Sequence, residues 1–441
     1  MAVHVRRIVP FARLWVAVAA VTLAVSGAAP ACLARPDDEL KWTRVVEEKD
    51  GETLKLQLVS REYRVAGKEG PSVFLTGAVH VADAAFYKEI QEFLDAKDVV
   101  LFEGVKPPGA GRLDHGPVKP DDETLAKATT RRIRFVATFV EKYKREHGAY
   151  PASFKELAEG VDGRMAKLLE GCTVDAWGRP LLLTVTTPAP PAEPGSDVRA
   201  FDVKSLGADG KVGGEGPQAD LAFADQPALK RAEIVEGEGI QRQLASALRL
   251  KFQLDAMDET KPNWRNSDLS VDQVMDRLEA GGGEGEQLLS LVGGGGLMDS
   301  VLGVAAKLVG MSKTLSTMLK LVMVDMLSQA DQLLGNAGPM QEMMKVIIED
   351  RNEVVVSDLA RVLRDEPQLK TIGVIYGAGH LADMDARLRK ELAMEPVGET
   401  WFTAITVHVG DAGLSAEEAR EMRTMMRNQI ERQLKAMQRG K

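Results

Sequence analysis

The chain is poor in cysteine, with Cys32 and Cys172 the only two in 441 residues. Cys32 lies in a leader-like segment; if it is removed or lipidated, Cys172 has no intramolecular partner and no disulfide framework supports the fold. Cys172 therefore reads as a small buried thiol rather than a nucleophile. Basic charge is not in excess: 56 Lys and Arg face 65 Asp and Glu, for a net charge of −9. That balance argues against non-specific nucleic-acid binding as the main activity, and no nucleic-acid partner is expected. After the leader, no segment offers ~20 apolar residues without charge, which excludes a second membrane-spanning helix. With 44% hydrophobic and 27% charged residues the composition is globular, and the length allows about three domains.

Residues 1–35 have the form of an export signal. Arg6, Arg7 and Arg13 supply positive charge, Leu14 to Val25 supply an apolar core, and Ala29-Pro30-Ala31 precede Cys32. Cleavage before Cys32 would leave it available for lipidation, although Ala29 stands where a bulky aliphatic residue is usual. An uncleaved anchor is the other alternative. The expected location is the periplasm or cell envelope, with membrane contact only through the signal or a lipid on Cys32.

The chain is organised around Pro71 to Gly104. Val73, Phe74 and Leu75 form a short apolar run ending at Gly77, and Val99 to Phe102 form another. Between them Phe86, Ile90, Phe93 and Leu94 recur at helical spacing. Strand, helix, strand in about 30 residues is a βαβ unit of a parallel sheet. His80 and Glu103 each follow a strand end, the edge where open α/β sheets bind ligands. Gly77 and Gly104 are expected to let the backbone turn there. Upstream, Leu54, Leu56 and Leu58 alternate with polar residues, as in a half-exposed strand. Thr371 to Tyr376 is a further strand running into Gly377-Ala-Gly-His380, so two Gly-x-x-His elements can meet at one rim.

This pair resembles the TraB/GumN family, which includes the TIKI proteins. The matching residues are Gly77-Ala-Val-His80 with Tyr87 seven residues on, Glu103, the segment Ile347 to Asn352 containing Arg351, and Gly377-Ala-Gly-His380. Asn263 to Asp268 looks like a segment of some bacterial members. The resemblance covers roughly 45–105 and 235–410. One Gly-x-x-His alone is weak, whereas four elements in the family's order are more specific. The resemblance implies an α/β fold with a parallel or mixed sheet, and metal-dependent peptide cleavage with Mn2+ or Co2+. The ligand types leave Zn2+ open.

Between these halves lies a different block. Pro107 to Asp122 reads as a linker and Thr129 to His147 as an amphipathic helix with Ile133, Val136, Phe139, Val140 and Tyr143 on one face. Then come Gly148-Ala-Tyr150-Pro151, Asp175-Ala-Trp177-Gly178 and the loop Ser205-Leu-Gly-Ala-Asp209-Gly-Lys-Val-Gly-Gly-Glu215-Gly. These features resemble the globular part of the type II secretion G protein, the major pseudopilin, over about 129–222. Ala176 departs from the usual Pro, and the prepilin cleavage motif and apolar helical half are missing ahead of Thr129. The block is therefore expected to be an inserted α+β domain rather than a fibre subunit. In its loop Asp209, Glu215 and Asp220 can converge, and hard oxygens suit Ca2+. The resemblance points to Asp209 and Asp220 for a structural calcium; the alternative is an ordinary acidic surface loop. The loop lacks the Gly-Lys-Ser/Thr of a P-loop.

Residues 226–350 read as mainly helical. Leu244 to Leu254 and Val271 to Leu278 are amphipathic, and Val301 to Leu334 is Met-rich, with Met311, Met318, Met323 and Met326. A Met stripe can bind lipid or peptide, but Lys307, Lys313 and Lys320 favour core packing, and a helical lid over the strand ends is expected. A helix from Met344 to Leu363, a strand from Phe402 to Val409 and a solvated helix after Ser415 complete the chain. The expected domains are a signal at 1–35, an α/β domain at 36–122 and 226–412, the inserted domain at 123–225 and the terminal helix at 413–441.

His80, Glu103 and His380 offer two nitrogen ligands and a carboxylate, a set that with open positions describes a hydrolytic metal site. Glu103 and Arg351 are the catalytic candidates. Arg351 suits a developing oxyanion or a substrate carboxylate, and its bland alternative is an ion pair with Glu349 or Asp350. Tyr87 and Asp83 are expected to pack or support. A lone strand-end histidine is unremarkable, as His115, His147 and His408 illustrate, so the case rests on the paired contexts plus Glu103. The resulting expectation is an exported metal-dependent hydrolase acting on a peptide or protein. The alternative is a non-catalytic envelope binding protein using the calcium-loop block, with a type II secretion component third.

Overall fold

The computed structural model describes residues 41–67, 69–111, 120–161, 163–186, 200–229, 240–280, 312–328 and 345–439. The leader, Cys32, the Pro-rich stretch at 188–194, the glycine runs at 281–283 and 293–296, and Met311 lie outside them. The described strands are β1 (Thr43–Glu48), β2 (Thr53–Val65), β3 (Ser72–Ala78), β4 (Val81–Ala82), β5 (Val99–Phe102), β6 (Leu182–Val185), β7 (Phe201–Ser205), β8 (Leu221–Ala222), β9 (Lys251–Phe252), β10 (Trp264–Asn266), β11 (Thr371–Gly377) and β12 (Met394–His408). The α-helices are α1 (Ala84–Asp95), α2 (Asp122–His147), α3 (Phe154–Glu159), α4 (Gly163–Cys172), α5 (Ile240–Ala247), α6 (Gln253–Ala256), α7 (Val271–Ala280), α8 (Lys313–Leu327), α9 (Asp350–Asp365), α10 (Leu381–Leu392) and α11 (Ala416–Arg439). They divide into two compact units, one within Met1–Glu103, Glu238–Ser267 and Arg277–Lys441, the other within Gly104–Gly237 and Asp268–Asp276.

The first unit is α/β, built on a seven-stranded mixed sheet of order β1-β2-β3-β11-β5-β10, with β12 along the other edge of β2. β3, β11, β5 and β10 are parallel; β1, β2 and β12 pair antiparallel. The expected β3-α1-β5 crossover exists, but its strands are not neighbours. β11 lies between them, pairing Val374 with Leu75 on one side and with Leu101 on the other. Burial on both faces explains why these runs are apolar throughout rather than alternating. Val100, Phe102 and Ile375 face a core shared with Phe86, Tyr87, Ile90 and Leu94 of α1. Val99, Leu101, Ile372 and Val374 face a second core shared with α9 and α10.

Several expectations are corrected. Gly77 does not turn the chain, because it lies inside β3. A Cβ there would stand 2.9 Å from Leu381 Cδ1, so the glycine admits the start of α10 against the sheet. The upstream segment is two strands, β1 and β2, joined through Lys49, Asp50 and Gly51 at positive φ. The helix expected from Leu244 to Leu254 stops at Ala247, with Arg249 left-handed and β9 following. The described part of the expected lid, α8, packs along β12, β1 and α11, on the antiparallel side of the sheet. Its Met326 is buried and Met318 and Met323 pack on the core, as core packing requires. The terminal helix is not simply solvated: Arg423 is buried and binds Asp325 of α8 and Glu47 of β1.

The second unit packs α2, α3 and α4 on a three-stranded antiparallel sheet of order β6-β7-β8. Ile133, Val136, Phe139 and Val140 of α2 meet Phe201, Val203 and Phe223 in its core. α2 begins two turns earlier than expected. Asp121 caps it by accepting from Thr124 N at 2.8 Å, which satisfies an end donor.

Candidate functional site

The parallel strands end at a common edge, and three of the nominated residues sit there. β3 leads to His80 and β5 to Glu103. β11 leads through a single 3-10 turn to His380. Because β11 lies between the other two, residues from opposite ends of the chain share one rim. Glu103 N donates to Ile375 O at 3.0 Å, which continues the β5–β11 pairing to the carboxylate residue itself. Gln253 N donates to His80 O at 2.8 Å and holds the turn after β3. Arg351 comes from the first turn of α9, which continues out of a π-helical turn at Lys345–Glu349.

The Glu103 side chain is 15% exposed and Arg351 10%. Arg351 NH2 donates to Glu103 Oε1 at 2.7 Å and Gly377 N to Glu103 Oε2 at 2.6 Å. His380 Nε2 stands 3.7 Å from Oε1. Burial opposes the charge on Glu103, but Arg351, then His380 and His80, and the Gly377 N–H hold its carboxyl down to about 2. It is an ionised carboxylate in a mostly enclosed place. His380 is buried, its Nδ1 lies 2.7 Å from Asn352 Oδ1, and Tyr376 meets its ring edge-on at 5.2 Å. Asn352 Nδ2 reaches His380 O and Asp383 Oδ2 at 3.0 and 2.9 Å.

The structure thus brings Glu103, Arg351 and His380 into contact and places His80, half-buried, near enough to act on the Glu103 carboxyl. Among the described residues, no three His, Cys, Asp or Glu side chains stand ready-made around one ion position. Arg351 pairs with Glu103, not with its sequence neighbours Glu349 or Asp350; Asp350 pairs with Arg277 at 3.3 Å. Tyr87 donates to Val79 O at 2.8 Å and Asp83 accepts from Thr406 N at 2.8 Å, both supporting the turn before α1. Sequence reasoning gave Asn352, Asp383 and Arg387 no role. Their signal was the polar residue beside Arg351 and an Asp/Arg pair at i, i+4 just after His380.

In the second unit Asp175 anchors the Asp-Ala-Trp-Gly turn. It is 1% exposed and accepts from Trp177 N, Arg179 N and Ser205 Oγ at 3.0, 2.8 and 2.9 Å. The following glycine-rich loop closes on itself through Ala208 N to Pro217 O at 2.8 Å and Asp220 N to Gly213 O at 3.2 Å. Gly214 has φ +95°, and a Cβ on it would lie 2.5 Å from Gln218 O, so only glycine fits. Asp209, Glu215 and Asp220 do not form a three-carboxylate cluster. Asp209 accepts from Lys211 N at 2.9 Å; Asp220 accepts from Gly213 N at 3.2 Å and lies 3.7 Å from Lys204 Nζ. Cys172 is buried, and burial pushes its thiol up to about 12, as befits an inert core group.

Comparison with known proteins bears on this second unit. No curated protein and no solved structure matches the chain. The comparisons give no support to the TraB/GumN resemblance. Residues 118–223 match the family model of type II secretion system protein G, about a quarter of the chain. The middle block is accordingly a domain similar to type II secretion system protein G, carried between the segments of a larger α/β unit.

Proposed function

We propose that the chain is an exported, TraB/GumN-like metal-dependent hydrolase of the cell envelope that cleaves peptide or protein substrates. The observation that supports it most is Glu103. It is an ionised carboxylate at the rim of the parallel strands, with Arg351 at 2.7 Å and His380 Nε2 at 3.7 Å from one oxygen. The donor chemistry fits a divalent transition metal, since a permanent carboxylate and two strand-end imidazoles are borderline-hard ligands. His80, Glu103 and His380 would hold Mn2+, Co2+ or Zn2+, which when bound supplies Lewis acidity and a more acidic water. Arg351 keeps Glu103 ionised, and its fixed guanidinium fork suits a substrate carboxylate or a developing oxyanion.

Screening the purified protein against a peptide library, with cleavage read by mass spectrometry, tests the proposal. Cleavage that needs added metal and disappears in His80→Ala, His380→Ala and Glu103→Gln, each with wild-type circular dichroism, is the expected result. Full activity in both histidine variants would remove the site.

A structural Ca2+ is proposed in the glycine-rich loop, with Asp209 and Asp220 as carboxylate ligands and backbone carbonyls completing the shell. The reading is supported by the closure of the loop between the two residues, through Ala208 N to Pro217 O and Asp220 N to Gly213 O. A second reading, a non-catalytic envelope binding protein that uses this domain to engage a partner, is favoured by the protein G match over residues 118–223. It takes precedence if the folded protein takes up no transition metal and cleaves nothing. A direct type II secretion role is weaker, because α2 starts at Asp122, capped by Asp121, rather than from an apolar helical half. No described helix is long and apolar enough to cross a membrane.

A further inference from the structure

We infer that Asn352 is a positioning residue that fixes the ring tautomer of His380, putting the proton on Nδ1 and the lone pair on Nε2, toward Glu103. The functional consequence rests on the hydrolase reading; the tautomer itself does not.

Donors and acceptors alone determine the tautomer. Asn352 is 0% exposed and His380 1%, so water does not rescue a mismatched pair. An Asn side chain has one acceptor oxygen and one donor nitrogen. The Asn352 nitrogen lies 3.0 Å from the His380 carbonyl oxygen and 2.9 Å from Asp383 Oδ2, and both of these only accept. Reversing the amide would set its oxygen against two acceptors inside the protein, a mismatch that costs about 1–3 kcal/mol per unsatisfied group. The amide orientation is therefore determined. Asn352 Oδ1 is the atom 2.7 Å from His380 Nδ1, and an oxygen that only accepts requires N–H on the ring. A neutral imidazole carries one proton, so the lone pair falls at Nε2. That nitrogen is the one 3.7 Å from Glu103 Oε1.

The arrangement is braced from behind. Asp383 Oδ2 also accepts from Arg387 Nε at 2.7 Å, and Arg387 NH2 donates to Glu349 O at 3.4 Å, in the turn leading into α9. The Asn352 amide is thus tied to both ends of the segment it orients: the backbone of His380 and a side chain one turn later. Ligating histidines are commonly held in this way through the other ring nitrogen, and losing such a partner typically costs 10–100-fold in metal affinity. The tautomer imposed here is the opposite of the one favoured by a free histidine in water, which makes it measurable.

The test is 15N NMR of the metal-free, full-length protein with labelled histidine at pH 8, assigning His380 by the signal lost in His380→Gln. Wild type should carry its proton on Nδ1. Asn352→Leu should revert to Nε2–H and bind Zn2+ roughly 10–100-fold more weakly than wild type. A proton on Nε2 in wild type, alone or with one on Nδ1, overturns the inference, and so does an unchanged tautomer in folded Asn352→Leu. If that variant does not fold, the wild-type spectrum decides. The stated tautomer in a protein that binds no transition metal would sustain the role of Asn352 while removing the hydrolase reading.

Discussion

Replacing Arg351 by Met keeps an apolar stem of similar length and removes the cation 2.7 Å from Glu103. The carboxylate left behind is 15% exposed and keeps the hydrogen bond from Gly377 N at 2.6 Å. Breaking a buried pair by deleting one partner costs about 3–5 kcal/mol. The carboxyl itself gives a comparable figure, since a fall from 4.5 to about 2 corresponds to roughly 3 kcal/mol favouring the ionised form. Arg351 is the strongest of the groups lowering it, so most of that should vanish in the variant. The sign follows from the depressed value: the stabilisation is complete above pH 4.5 and is lost as pH falls toward 2. Chelator-treated wild type and Arg351→Met should therefore differ by about 3 kcal/mol in urea unfolding at pH 7, and the gap should narrow below pH 4.5. Glu103→Gln/Arg351→Met should lose less than the two single changes together, because the pair is coupled. A gap under about 0.5 kcal/mol at pH 7, or one that does not change with pH, would refute the reasoning.

Gly77→Ala should destabilise the α/β unit by about 1–3 kcal/mol in thermal melts, because its Cβ would press on Leu381 Cδ1 from 2.9 Å. Cys172, with its thiol pushed up to about 12, should resist a thiol reagent at pH 8 in the folded protein and react at once in guanidinium. Adding Ca2+ should slow proteolysis of the glycine-rich loop in wild type but not in Asp209→Asn/Asp220→Asn; equal protection of both would assign the loop no calcium.

Local pattern made the inner strands legible. Val73 to Leu75, Val99 to Phe102 and Ile372 to Tyr376 lie between two helical layers, and burial on both faces leaves an uninterrupted apolar run. The position of β11 between β3 and β5 was not legible, because strand order depends on pairing across about 270 to 300 residues of sequence. The same distance hid the partner of Arg351, 248 residues away at Glu103. Gly77 misled because a glycine near a strand end suggests a turn, while the contact that needs it, Leu381, belongs to a remote helix. The terminal helix looked solvated because the partners of its Arg423, Asp325 and Glu47, lie on distant elements. The protein G-like block was the easiest to read, since Asp175, Trp177 and the left-handed glycines make their own local structure.

The central claim is a metal site on the two strand-end histidines, and the most direct test is elemental mass spectrometry of the purified protein after it has been offered Mn2+, Co2+ and Zn2+. The account predicts close to one transition metal ion per wild-type chain, lost in His80→Ala/His380→Ala while calcium content is unchanged. Calcium alone in the wild type, or a transition metal retained by the double variant, would contradict it.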